Sequence, residues 1–471
     1  MDYLLAIDQG THASRALLFD DQGNIVASHL AGVDLRRLQP GHVEQDAEQL
    51  LASVNTSLRK TLQRVPGGRL GAVRACGLTT QRSTVLAWQP DGTPRSPALS
   101  WQDTRGRAQI EQLQDRAERI RQLSGLPLSA HYGASKLHWL CALLTDTTDL
   151  RLGPLAAFLL DHLTDSRRSL IDHSNAQRLQ LLDIQSCDWS AQLLDWFEVP
   201  LAPLPECAPV EQDYGTLIDQ GIPVTAVCGD QNAAWFGAGQ PDAESALVNI
   251  GSGAFILAAR TGQATHPALL TSIATSRSPA VEYLVEGTVN GAGSALQWLQ
   301  QHFAIPDIRA QLPDWLETVT EPPLFINTVG GLGSPWWQPG MIPTFHPENP
   351  HYSPAERAVA VAESILFLLQ ANLDLLQQQQ TIRRLRVSGG LSRLTPLCRK
   401  LANLSGLPVT RSDNSEASAR GVAWLAAGRP AHWTDAGRTQ LFQPQTDSGL
   451  RSRYQRFIQQ LQVQIETTPH E

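Results

Sequence analysis

The sequence has 471 residues, 42% of them hydrophobic and 17% charged, which is the balance of a folded globular chain and excludes a disordered or fibrous one. That length exceeds one ordinary core, so two domains are expected. The net charge of −8, with no long Lys/Arg run, argues against a nucleic-acid scaffold, yet leaves room for a nucleotide held by backbone N–H groups and a metal ion. The opening stretch YLLAIDQGTHASRALLFDDQGNIVASHL reads strand, tight turn, strand, turn, strand, with Gly and Asp at the turns. A helix follows around Asp46–Arg64, then a strand over AVRACGLTT. Further on, the apolar run IPVTAV ends in CGDQNAAWFGAG, Cys228 to Gly239. Here Asp230 closes a strand and opens a helix. Two readings stand side by side: a carboxylate that only satisfies first-turn N–H groups, or one placed where open α/β sheets bind their ligands.

The stretch SALVNIGSGAFILAAR repeats the opening device of strand, glycine turn, strand, and a domain boundary is expected near Gly239–Glu244. In the second half, SPAERAVAVAESILFLLQANLDLLQQQQ carries apolar residues at helical spacing, with its terminal glutamines on an exposed face. LRVSGGLSRLTPLCRKLANLSGLPVTR then reads strand, glycine turn, helix, strand. Six cysteines at 76, 141, 187, 207, 228 and 398 form no CxxC pair and no metal spacing, so they are expected as small core residues in a reduced, cytoplasmic setting. The start MDYLLAID has no basic segment, and no run of 18 apolar residues occurs, so neither a signal peptide nor a membrane contact is expected.

Three glycine turns sit at strand ends: Asp8-Gln9-Gly10-Thr11, Gly251-Ser252-Gly253 and Gly389-Gly390. Glycine lets a backbone turn sharply and bring successive N–H groups close to phosphate oxygens. One such turn means little; two matching hairpins followed by a strand–Gly-Gly–helix unit are more specific. In this order the chain resembles the actin-like ATPase (ribonuclease H-like) α/β fold of two domains around a cleft, and within it the FGGY family of carbohydrate kinases, glycerol kinase branch. The resemblance spans IDQGTHASRALLFD, TTQRSTVLAW, SWQDTRG, SGLPLSAHYGASKLHWL, GDQNAAWFGAG, NIGSGAFIL, EGTVNGAGSALQWL and VSGGLSR.

The resemblance implies an ATP-dependent kinase that passes the γ-phosphoryl group to a hydroxyl of a small polyol or sugar. It implies an N-terminal domain, residues 1–239, for the acceptor and base, and a C-terminal domain, 240–471, for the nucleotide. By the same resemblance Asp230 is the base and Asp8 holds Mg²⁺, through water. Gly10, Thr11, Arg15, Gly251 and Ser252 approach the phosphates, while Gly293, Gln297, Gly389 and Gly390 lie near the nucleotide. Gln81, Arg82, Ser83, Trp101, His131, Gln231 and Phe255 line the acceptor pocket with Asp230. Family members often form homo-oligomers.

Departures from the family pattern are equally informative. Where glycerol kinases carry an Arg-Glu pair, this chain reads Arg82-Ser83; His131 replaces a pocket Tyr, and Leu394 an Asn that reaches adenine. The loop that binds a sugar-bisphosphate inhibitor in bacterial glycerol kinases is missing before IPVTAVCGDQ, so no such feedback control is expected. The segment 338–352 reads as a rearranged lid of unknown contacts. These changes motivate an alternative, a catalytically weak sensor that binds nucleotide or sugar. Retention of Asp8, Arg15 and Asp230 together speaks against it.

Overall fold

Two sheets built on one plan organise the chain. The computed structural model describes residues 2–467 apart from 145, 147–148, 167, 261–265, 267, 339, 414–415 and 434–437. In the first sheet the strands run in the order Val224–Gly229, Val73–Thr80, Tyr3–Gln9, Ala13–Phe19, Ile25–Gly32. The first three are parallel, and the last two return as an antiparallel meander. The second sheet has the order Leu270–Arg277, Ala280–Val289, Ala254–Arg260, Ser245–Ile250, Arg384–Ser388, Val409–Ser412, Thr439–Phe442. Again a meander joins parallel strands, here Ser245–Ile250, Arg384–Ser388 and Val409–Ser412.

Local sequence explains these elements. Tyr3–Gln9 buries almost every residue, as a strand covered on both faces must. The helix expected around Asp46–Arg64 forms over Ala47–Leu62, with Asp46 as its N-cap accepting from the backbone of Glu48 at 3.0 Å and Gln49 at 3.1 Å. The long helix Pro354–Gln379 starts with a capping box between Ser353 and Glu356 and Pro at its first turn. It is the one helix among the described residues long and apolar enough to cross a membrane, and it lies instead in the C-terminal core, beneath the second sheet. The glutamines at 377–379 are exposed as expected. All six cysteines are free thiols, four of them buried.

The segment expected as a lid has a different place. Thr344–His346 pairs antiparallel with Leu324–Ile326, and Phe345 packs against Phe325 at 4.8 Å and Phe303 at 5.9 Å. Arg357 lies 4.1 Å over the Phe303 ring and donates to the carbonyls of Tyr352 and Pro350. Aromatic burial and a guanidinium clamp therefore hold 340–352 to the C-terminal core. The sequence offered no helix or glycine-threonine pattern there, and the short ribbon is built from tertiary contacts instead.

The halves meet where the helix Ala417–Ala426 crosses the helix Asp230–Trp235 and the strand Val73–Thr80. Glycine permits the approach: a Cβ on Gly421 would lie 1.8 Å from the Ala233 carbonyl oxygen, and one on Gly77 2.5 Å from that of Val422. Phe236 and Trp424 stack beside this crossing with centroids 5.7 Å apart. Glu211 adds a charged tie, accepting from Thr275 at 2.9 Å and from Arg277 and Arg429.

A second buried charge stiffens the N-terminal half. Lys136, in the helix Gly133–Leu144, is fully buried and donates to the carbonyls of Ser100 at 3.0 Å and His131 at 2.9 Å. Burial pushes its ammonium down to about 7, with Asp103 opposing and Arg105 reinforcing the shift. A neutral amine still has two N–H donors for the two carbonyls.

Two outcomes follow. Gly421→Ala forces the crossing helices apart and is expected to lower the melting temperature by the equivalent of about 1–3 kcal/mol; an unshifted melting curve would contradict the close crossing. The folded Lys136 loses its proton near pH 7 and the unfolded one near 10.5, so its cost is fully felt below pH 7 and relieved as pH rises through that window. The melting temperature of the wild-type protein should therefore gain between pH 7 and 9 relative to Lys136→Met, and parallel profiles would refute the buried charge.

Candidate active site

Strand register brings the reactive groups together. Gln9, Thr80 and Gly229 are level across three parallel strands, so Gly10, Gln81 and Asp230 leave the sheet at one edge. Asp8 faces Arg15 across the first hairpin. The Arg15 guanidinium lies 3.9 Å from the Asp8 carboxylate and 2.9 Å from Glu416, which comes from the other half of the chain. Burial lifts the Asp8 carboxyl to about 7, Arg15 pulls it back, and the carboxylates of Asp230 and Glu416 raise it further. Asp8 and Asp230 thus feel each other's charge. Thr11 accepts at Oγ1 from the Trp101 indole at 3.0 Å, which puts the turn expected at the phosphates beside a residue expected in the acceptor pocket.

Asp230 opens its helix, and its Oδ1 accepts from the Gln231 backbone at 2.7 Å. Part of the carboxylate stays accessible, 26% exposed, 3.6 Å from Arg82 Nε. Burial raises its pKa, and Arg82 is the main opposing influence. Gly229 makes room for this contact, since a Cβ there would lie 2.8 Å from the Arg82 side chain. Arg82 also donates to Asn232 at 3.0 Å and reaches both oxygens of Glu286 at 3.4 Å. Glu286 is 1% exposed and takes further bonds from Arg178 and from Ser272 at 3.1 Å. The two guanidiniums hold its carboxyl down to about 2 against the cost of burial. Tyr132 lies within this charged cluster, its phenol pushed up to about 12 by burial.

Other expected acceptor residues take less direct places. The buried Gln81 side chain donates to Gln9 at 3.0 Å and Gln45 at 2.7 Å, so it braces the strand ends. Ser83 sits at φ 62° and donates its hydroxyl to the Arg178 carbonyl at 3.2 Å. His131 is exposed, with Nδ1 3.3 Å from the Trp101 carbonyl oxygen. The Gln231 Oε1 atom is buried without a hydrogen-bond partner among the described residues. Phe255, half-buried, pairs with Thr288, and so shares a sheet face with Glu286 two residues earlier.

The turns expected at the nucleotide converge on the second sheet. Asn249 is level with Ser388, so Gly251 and Gly389 leave neighbouring parallel strands at one end. The Gly251 and Ser252 carbonyls accept from the Gly293 and Ser294 N–H groups at 2.9 and 3.0 Å, seating the helix Gly293–His302 on the second hairpin. A Cβ on Gly293 would lie 2.8 Å from the Gly251 oxygen, whereas one on Gly390 would meet nothing within 4 Å. Gly293 is therefore a packing glycine, and Gly390 leaves open space. Gln297, one turn on, is exposed, and Leu394 packs into the C-terminal core.

Sequence reasoning missed Glu286, Arg178 and Glu416. A lone Glu inside the apolar strand YLVEGTV carries a signal that was there to be read, because a buried carboxylate needs a cationic partner. Arg178 and Glu416 carry no local signal. Among the described residues no three His, Cys, Asp or Glu side chains converge to hold a metal ion. Asp8 is a single, partly exposed carboxylate beside a glycine turn, a donor set chemically compatible with an Mg²⁺ that keeps most of its water.

Comparison with known proteins agrees with this geometry. The model of the FGGY family of carbohydrate kinases, N-terminal domain, matches residues 3–237, and that of the C-terminal domain matches residues 246–428. A glycerol kinase of Delftia acidovorans is 32% identical over 451 residues, covering 90% of each chain. One of Alkalilimnicola ehrlichii is 33% identical over 459 residues, covering 91% of this chain and 90% of its own. Among solved structures, Plasmodium falciparum glycerol kinase with ADP shares the fold with a TM-score of 0.84 at 22% identity, covering 100% of this chain and 99% of that one. A xylulose kinase from Brucella ovis does so at 0.86 and 23%, covering 98% of each. None of these relatives supports the sensor alternative. The chain belongs to the FGGY family of carbohydrate kinases, and it is an ATP-dependent kinase acting on a hydroxyl of a small polyol or sugar.

Proposed function

We propose that Asp230 is the general base of this kinase and that its acceptor is a polyol or ketose longer than glycerol. The observation that carries the base assignment is the register of the parallel strands, which sets Asp230 beside Asp8 and Arg82 at one sheet edge. Residues 1–239 supply the acceptor side and the base; residues 240–471 supply the nucleotide side through Gly251, Ser252, Gly389 and Gly390. Asp8 would hold Mg²⁺, which supplies charge neutralisation on the phosphate oxygens. Arg15 and the N–H groups of both hairpin turns orient the phosphates. Asp230 accepts the acceptor proton as its oxygen forms the new bond to phosphorus and ADP leaves. A carboxylate is basic enough, because the attacking alcohol becomes strongly acidic only late in a loose transition state. Closure of the two halves would exclude water and limit idle ATP hydrolysis.

The acceptor preference rests on Ser83. Position 83 offers a serine hydroxyl where glycerol kinases carry a carboxylate, and that hydroxyl donates to the Arg178 carbonyl instead of facing a short polyol. Loss of one charge-assisted hydrogen bond costs about 1.5–3 kcal/mol, roughly a ten- to hundredfold weaker hold on glycerol. Longer acceptors regain contacts with Trp101, Gln231 and Phe255.

One assay tests both parts: ATP consumption with glycerol, xylitol and D-xylulose, by the wild-type protein and by Asp230→Asn. The wild type should use xylitol or D-xylulose with higher kcat/KM than glycerol. Asp230→Asn should lose roughly 10²–10⁴-fold in kcat while keeping its affinity for ADP. Wild-type turnover in the variant would refute the base, and a preference for glycerol would refute the acceptor.

A further inference from the structure

Glu286 stands outside every role described above, yet it is 1% exposed and one guanidinium away from Asp230. It belongs to the strand Ala280–Val289 of the second sheet, while Arg82, Arg178 and Asp230 belong to the first half of the chain. Together the four form a row, Arg178–Glu286–Arg82–Asp230, with two positive and two negative charges. Within it Glu286 has a job no other group can do: Arg82 and Arg178 repel each other, and each is pulled toward the carboxylate between them.

The donor count of Arg82 shows what this achieves. A guanidinium has five N–H donors in a fixed fork. Nη1 is spent on Asn232 and Glu286, and Nη2 spends one N–H on Glu286. The second Nη2 N–H and the Nε–H, whose carboxylate neighbour is 3.6 Å away, are the donors left toward Asp230. A hydroxyl placed for deprotonation by Asp230 would meet them. From its own half the carboxylate beside Arg82 is Asp230, at 3.6 Å, and the one within hydrogen-bond reach of both Nη atoms is Glu286 from the other half.

We propose that Glu286 is a positioning residue for the acceptor: reaching over from the second sheet, it holds Arg82 with two N–H groups directed toward Asp230, where the acceptor hydroxyl would lie. Acceptor affinity is thereby tied to contact between the two halves. The inference rests on the acceptor role given to Arg82 above. A purely structural Glu286 would instead affect folding and leave substrate discrimination alone.

The test is a mutant cycle of Glu286→Gln, Arg82→Lys and the double variant, with Glu286→Asp as the charge-conserving control. Xylitol and glycerol are the probes, and KM for acceptor and for ATP, kcat and melting temperature are read for each protein. Glu286→Gln should raise acceptor KM at least tenfold with ATP KM within twofold, and Glu286→Asp should recover part of the loss. The double variant should bind acceptor no worse than Arg82→Lys alone, within about threefold. An unchanged acceptor KM in folded Glu286→Gln, or losses that multiply in the double variant, would overturn the proposal. Should Glu286→Gln fail to fold, the cycle with Glu286→Asp gives the same readout. Calorimetric binding of xylitol in an Asp230→Asn background reads the Arg82 grip without turnover, so failure of the base assignment shows up separately.

Discussion

The alignment of three parallel strands governs everything else in this protein. Because Gln9, Thr80 and Gly229 are level, the chain leaves the sheet three times at one edge, and each exit places a functional residue at or beside it. Asp8 stands just inside the first exit, Arg82 just beyond the second and Asp230 at the third. A one-residue slip of the Val224–Gly229 strand would move its side chains to the opposite face and bury the base in the core. The second sheet repeats the principle, with Gly251 and Gly389 leaving adjacent strands at one end.

Gathering charges at a buried edge has consequences that the structure manages by pairing. Burial lifts the Asp8 carboxyl to about 7, and Arg15 offsets that only in part. Asp230 is paired with Arg82, and Arg82 with Glu286, so the proposed base stands at the end of a row that includes a carboxylate from the other half of the chain. Arg15 and Glu416 make a second link of the same kind. Both links join the halves through the residues that chemistry needs.

Much of this was legible in the sequence, because it rests on local signals. The two hairpins, the capped helix after Asp46, the Gly-Gly turn and the Asp230 seam are all short patterns of glycine, apolar alternation and caps. What stayed hidden depends on contacts between distant residues. No local pattern announces that Gln81 bonds to Gln9 and Gln45, or that Ser83 bonds to the Arg178 carbonyl. The segment 338–352 reads as a rearranged lid of unknown contacts, and Phe345 finds an aromatic cluster that no local pattern announces. Glu286 and Arg178 lie more than a hundred residues apart, and only the fold makes them a pair.

The most direct test of the central claim is a crystal structure with Mg²⁺, a non-hydrolysable ATP analogue and xylitol bound together. The account predicts one xylitol hydroxyl within about 2.6–3.2 Å of an Asp230 carboxylate oxygen and in line with the terminal phosphate. A bound xylitol with every hydroxyl out of hydrogen-bond reach of Asp230 would contradict it.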